Sequence, residues 1–194
     1  DDDDDDVAVV ETDPNVYVKT QVKGLTFRFL AGNFFQNNPF MLPVMVDHVV
    51  DAAINPNAQG EKMTHLIDCY CGSGLFCLSS ASHFDVCVGI EVNEKAVEEA
   101  TRNAQINKIE NCKFVSASAE AIFMSEDKVE IQTPTRNAST STTSTDTQSL
   151  TSYYVRDFPK STTTVVIDPP RKGCSTEFLE QLYTFGPERI VYMS

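Results

Sequence analysis

His65–Leu75 reads HLIDCYCGSGL. A short apolar run leads to Asp68, Tyr70 and Cys71 follow, Gly72-Ser73-Gly74 forms a turn, and Leu75 opens a second apolar run, LFCLSSA. The order is strand, glycine turn, helix. Glycines let the backbone approach a ligand closely, and the first N–H groups of the following helix are free to face it, so the unit suits a nucleotide-like ligand. A Gly-x-Gly turn also occurs for steric reasons alone, so the flanking chain has to decide its meaning.

Downstream, Asp85–Glu91 (DVCVGIE) is a short apolar run ending in an acid, the mark of a buried parallel strand. Glu91 falls 23 residues after Asp68. An acid at that distance is placed to bind ribose hydroxyls, because the second strand of such a unit ends beside the first turn. Asn93 caps a helix predicted to turn Val97, Ala100, Thr101 and Ala104 inward. Cys112–Val115 is a third strand, with the polar loop Ser116–Glu120 at its carboxyl end. Thr162–Ile167 is a fourth, rich in β-branched residues, and it runs into Asp168-Pro169-Pro170-Arg171-Lys172-Gly173. A helix over Thr176–Phe185, closed by Gly186-Pro187, and a fifth strand over Arg189–Met193 complete the pattern. Strands alternating with helices define a doubly wound α/β fold.

Upstream, residues 1–14 are acidic and predicted to be unstructured. Residues 15–38 hold a β-hairpin turning at Lys23-Gly24, followed by a polar loop with two aromatics, AGNFFQNN. The main domain then spans 39–194. Its first element is an amphipathic helix over Phe40–Ile54, with Leu42, Met45, Val46, Val49 and Ala53 on one stripe and His48 beside it as a helix-surface or half-buried residue. Within the domain, 13 of the 20 residues Thr133–Ser152 are Ser or Thr, too little apolar surface to order a chain, so a disordered insertion is expected at about 125–161.

The net charge is −13, and −7 without the six aspartates that open the chain, so bulk charge does not favour a phosphate backbone. Six irregularly spaced cysteines read as free intracellular thiols rather than a disulfide framework. No apolar run reaches the length of a membrane span and the start resembles no signal peptide, so an intracellular protein without a membrane partner is expected.

The polar positions at strand ends, Tyr70 to Gly74, Glu91, Ser118 and Asp168, belong where α/β folds bind ligands. A glycine turn with a ribose acid fits NAD or S-adenosylmethionine. The turn lacks the third glycine of the dinucleotide fingerprint, Cys77 standing there, and S-adenosylmethionine, which has no pyrophosphate, tolerates that. Proline restricts both its own φ and the residue before it, so the tandem prolines aim Asp168 and its carbonyl in one direction.

Together FFQNN (34–38), DCYCGSG (68–74), GIEVNEKAVEEATRNAQIN (89–107), VVIDPPRKG (165–173) and IVYMS (190–194) resemble the RNA (uracil-5-)-methyltransferase family, most of all its tRNA members. The resemblance implies a class I S-adenosylmethionine-dependent methyltransferase fold, Rossmann-like, and formation of 5-methyluridine at position 54 of tRNA. It implies S-adenosylmethionine contacts from Gln36, Tyr70, Glu91 and Asp168, with Glu91 on the ribose, further contacts from Gly72, Gly74 and Ser118, and a substrate role for Arg171. Leu75 stands where some members carry a polar cofactor contact. The family's nucleophile is a cysteine directly after the strand reading IVYMS, hence just past Ser194, and its general base a glutamate further on. No catalytic residue is therefore expected within the chain, which reads as the cofactor-binding part of its enzyme. In this chemistry a thiolate adds to C6 of uracil, the resulting enolate takes the methyl group at C5, and a base removes the C5 proton.

Methylation of uridine in another RNA such as rRNA, or a non-catalytic RNA-binding module on the same fold, are the alternatives. A nitrogen methyltransferase is disfavoured because Arg171 stands where such enzymes carry an aromatic residue. The expected partners are S-adenosylmethionine and tRNA, with no metal, in a monomer whose compartment is open between cytoplasm, nucleus and mitochondrion, the first two favoured.

Overall fold

The computed structural model describes residues 13–36, 38–123, 129–133 and 149–193. β1 (Tyr17–Val22) and β2 (Leu25–Leu30) pair antiparallel, with Val22 opposite Leu25. The two turn residues both have positive φ, 51° at Lys23 and 84° at Gly24, the geometry whose twist matches that of paired strands. Val22, Phe27 and Phe29 face the core, while Val18, at the open end of the ribbon, is exposed. α1 (Met41–Ile54) follows, burying Leu42, Val46, Val49, Val50 and Ala53 and leaving His48 exposed. Asn38 Oδ1 accepts the N–H groups of Phe40 and Met41, both at 3.1 Å, in place of a cap from Phe40 itself.

The main sheet begins with β3 (His65–Cys69), then α2 (Leu75–Ser80), β4 (Val86–Glu91), α3 (Glu94–Ile106) and β5 (Cys112–Ser116). An antiparallel ribbon of β6 (Val129–Thr133) and β7 (Ser149–Tyr153) comes next, then β8 (Thr163–Ile167), α4 (Thr176–Phe185) and β9 (Arg189–Tyr192). The five sheet strands are parallel in the order β5-β4-β3-β8-β9. Side chains alternate across the sheet, so neighbours in one strand serve different cores. Leu66 packs with the hairpin, α1, α2 and α3 on one face, and Ile67 packs with α4, Val155 and Phe158 on the other.

Two expectations need correction. Thr101 points outward, its hydroxyl donating to Val97 O at 2.9 Å, and the inward position belongs to Asn103, which has no exposed surface. Asn103 and Asn107, one helical turn apart, pair with the backbone of β2 as another strand would. Asn103 exchanges hydrogen bonds with Arg28 N and O at 2.8 and 3.0 Å, and Asn107 does the same with Thr26 N and O, both at 2.8 Å. Glu99 on the same helix reaches Arg28 at 3.8 Å. An apolar stripe places an inward residue by periodicity, whereas an asparagine is drawn in by backbone groups 75 to 81 residues away.

The second correction concerns the insertion. Residues expected to lack structure at the edges of 125–161 form the β6–β7 ribbon, and Val155 and Phe158 are buried against the sheet. Isolated apolar residues next to a strand are enough to dock a segment that composition alone reads as solvated. Residues 1–12 and 134–148, where the acidic segment and the most Ser/Thr-rich stretch fall, lie outside the described residues.

Candidate functional site

The carboxyl ends of β3, β4, β5 and β8 meet at one edge of the sheet. Their loops, with residues 33–36, enclose a cleft of about 1150 Å³. Gln36, Tyr70, Gly72, Glu91, Ser118, Asp168 and Arg171 all line it. Residues far apart in sequence are thus brought to one surface by the parallel order of the strands.

Gly74 is the exception. It has φ of 88° and precedes α2, and a Cβ there would meet the Phe114 ring at 3.0 Å and Ala100 at 3.2 Å. This glycine serves close packing of turn on helix and does not line the cleft. Gly72 is the reverse: it lines the cleft with φ of 53°, and a Cβ there would meet nothing within 4 Å. Its backbone is open to a ligand.

Glu91 ties two loops together. Oε2 accepts Gly72 N–H at 3.1 Å and Oε1 accepts Asn93 N–H at 2.9 Å. Each carboxylate oxygen has a further lone-pair direction for a ligand hydroxyl. Cys71 N–H donates to Ile90 O at 3.0 Å, fixing the same turn to β4. Between them Tyr70 has φ of 64°, a conformation rare outside glycine and a form of strain that concentrates at ligand sites. The Tyr70 ring stands edge-on to Phe178 with ring centroids 5.9 Å apart. Cys174 lines the cleft, and burial pushes its pKa up, so it rests as a thiol and not as a nucleophilic thiolate. Cys71 is buried and faces Gly89, where a Cβ would lie 2.8 Å from its sulfur.

Asp168 is half-buried at the end of β8, and loss of solvent raises its pKa. After the two prolines, Gly173 N–H donates to Pro170 O at 2.7 Å and closes the loop, leaving Arg171 and Lys172 exposed on the rim. Ser118 accepts Glu120 N–H at 3.2 Å and donates to the Glu120 carboxylate. That hydrogen bonding holds Glu120 ionised, its pKa below the usual range. The cleft therefore has carboxylates inside (Glu91, Glu120, Asp168) and cations at its rim.

Several features of the cleft cannot be read from any one stretch of sequence. Phe34 presents a ring 80% exposed at the edge. Glu120 and Ser175 meet across 55 residues. A serine and an acid at the end of a strand, and a serine capping α4, are legible separately but not as partners. Among the described residues no three His, Cys, Asp or Glu are placed to hold a metal ion, and no helix is long and apolar enough to cross a membrane.

The five-stranded parallel sheet with its cleft at the carboxyl ends is the Rossmann-like fold of class I methyltransferases. Pyrococcus abyssi tRNA (uracil-54, C5)-methyltransferase, solved in complex with S-adenosyl-L-homocysteine, shares it with a TM-score of 0.60 at 22% identity, over 91% of this chain and 34% of that one. Methanocaldococcus jannaschii TYW2, solved with AdoMet, gives a TM-score of 0.54 at 12% identity, over 92% of this chain and 62% of that one. The sequence profile of the tRNA (Uracil-5-)-methyltransferase family matches residues 9–194, and the chain belongs to that family. It is 38% identical over 185 residues to the tRNA (uracil(54)-C(5))-methyltransferase of Saccharomyces cerevisiae, covering 94% of this chain and 24% of that protein. The Schizosaccharomyces pombe protein of the same name is 35% identical over 187 residues, covering 95% of this chain and 30% of that protein. The chain thus spans about a quarter to a third of the length of these relatives.

Proposed function

We propose that the chain is the methyl-donor-binding part of an enzyme that methylates C5 of uridine 54 in tRNA from S-adenosylmethionine. The observation that carries this reading is the convergence of Gln36, Tyr70, Gly72, Glu91, Ser118 and Asp168 on one cleft, in a member of the tRNA (uracil-5-)-methyltransferase family. The donor set fits the cofactor. Glu91 would accept the ribose hydroxyls, Ser118 would border the adenine, and the open backbone at Gly72 leaves room for close approach. Gln36, Tyr70 and Asp168 complete the cradle. Three carboxylates around the cleft match a ligand whose sulfonium and ammonium are cationic. When bound, S-adenosylmethionine supplies an electrophilic methyl group. The tandem prolines fix Asp168 on the cleft wall, where it would border the bound cofactor, and Arg171 and Lys172 on the rim would face an incoming polyanion. β9 delivers the chain to the same end of the sheet, Met193 N–H donating to Ile167 O at 2.9 Å, and the family resemblance puts the nucleophilic cysteine directly after this strand.

The test uses the full-length protein. Calorimetry is expected to detect S-adenosylhomocysteine binding, and Glu91→Ala to raise its Kd at least about tenfold, the loss of one or two hydrogen bonds to a charged group. Methyl transfer to tRNA is expected to vanish when uridine 54 is replaced by cytidine. Transfer unchanged by the replacement overturns the position assigned, and absence of cofactor binding overturns the reading as a whole.

A further inference from the structure

We infer that Glu120 is a positioning residue that locks the loop Asp168–Ser175 onto the opposite wall of the cleft, so that the acceptor-side loop and the adenine-side loop are set as one unit. The inference rests on the proposed reading of the cleft. Ser118 donates its hydroxyl to Glu120 Oε2, and Ser175 donates its hydroxyl to Glu120 Oε1 at 3.1 Å. One carboxylate thereby joins the loop after β5 to the loop after β8. The Ser175 hydroxyl is also the N-cap of α4, accepting Phe178 N–H at 3.2 Å, so the lock bears on a helix and not on a free side chain. Lys172, in the same loop, adds an opposite charge near the carboxylate.

The loop is held elsewhere in a way that makes this lock decisive. Its start is fixed by β8 and by the prolines, and Gly173 closes on Pro170. Its end is held at Ser175 by Glu120. Asp168 and Arg171 lie between these anchors. Glu120 is only partly buried and lines the cleft, a place where a carboxylate adds little to fold stability, since exposed polar pairs contribute weakly. Its two-sided hydrogen bonding makes sense as geometry: charge-assisted bonds fix direction as well as distance.

The test compares wild type, Glu120→Ala, Glu120→Gln, Ser175→Asp and the double variant Glu120→Gln/Ser175→Asp in the full-length protein. Hydrogen exchange of residues 171–175 reads the loop directly, without reference to activity. Calorimetry with S-adenosylhomocysteine and steady-state kinetics on tRNA read its consequence. Glu120→Ala is expected to speed exchange in this loop about tenfold and to raise the Kd by a similar factor, with the rise in KM exceeding any loss of kcat. Ser175→Asp keeps a good helix cap but sets two carboxylates face to face, so it should reproduce both effects. The double variant restores an amide-to-carboxylate hydrogen bond and should recover most of them, a coupling that a merely stabilising residue would not show. Unchanged exchange in 171–175, or a lower Tm with unaltered Kd and no rescue in the double variant, overturns the inference. If wild type fails to bind S-adenosylhomocysteine, the reading of the cleft falls, while the exchange data still decide the lock.

Discussion

Asp68 sits in the middle strand of the sheet with no exposed surface, directly beneath the cleft. Its Oδ2 accepts Cys77 N–H at 2.9 Å, which ties the strand to the first turn of α2, while Oδ1 has no hydrogen-bond partner among the described residues. Burial pushes its pKa up to about 8, with the charges of Asp168 and Glu91 adding to the effect. The sign follows from proton linkage. The folded state holds this proton more tightly than the unfolded chain, whose carboxyl titrates near 3.8. The stabilising contribution is therefore complete below about pH 4 and is lost as pH rises through 8. Asp68→Asn keeps an acceptor for Cys77 N–H and removes the charge. Urea unfolding from pH 4 to 9 should show the variant gaining on wild type as pH rises and the difference levelling above the folded-state pKa; a difference independent of pH would refute the assignment.

Among the elements, α3 does more than cover the sheet. Its Asn93 cap accepts Lys95 and Ala96 N–H at 3.0 and 3.4 Å, a local event expected from the residue type. Asn103 and Asn107 act at longer range, holding the hairpin through its β2 edge, and Asn103 also donates to Ser73 O at 3.1 Å inside the glycine turn. The hairpin in turn carries the Gln36 loop, because Phe35 stacks on Phe29 with ring centroids 4.1 Å apart. Asn103→Ala leaves buried backbone groups of Arg28 and Ser73 unpaired and should lower stability by about 2–4 kcal/mol. The Arg28 amide should lose its protection from hydrogen exchange before the central strands do. An unaffected Arg28 amide would show that the hairpin is held by its apolar face alone.

For the molecule as a whole, charge and topology are arranged around one edge of the sheet. A chain of net charge −13 can meet RNA only if its cations are local, and Arg171 and Lys172 are exposed where the cleft opens. The Ser/Thr-rich stretch leaves and re-enters the fold at neighbouring points, since Thr133 and Ser149 are direct partners in the β6–β7 ribbon. Replacing residues 134–148 by a two-residue Asn-Gly turn therefore closes a hairpin that already exists. It should leave Tm within roughly 2 °C and cofactor affinity unchanged, because loop-closure entropy varies slowly with length. A large loss of either would give the segment a part in the domain that its composition does not suggest.

The sequence by itself determined the features whose causes are local. Lys23-Gly24 made the hairpin turn, the i, i+3, i+4 stripe of α1 set its buried face, and Asn93 and Gly186 marked helix ends. The strand-end positions of Tyr70, Glu91, Ser118 and Asp168 followed from parallel-sheet order, which is why they converge on one cleft. Only the tertiary structure decided what depends on partners far along the chain. Gly74 packs under Phe114 and Gly72 faces the cleft, though both sit in one turn. Thr101 yields the inward place to Asn103 because β2 offers unpaired backbone groups there. Val155 and Phe158 dock a segment that composition reads as solvated. Glu120 finds Ser175 across 55 residues, and a hydrogen bond over that separation leaves no periodic trace in either stretch.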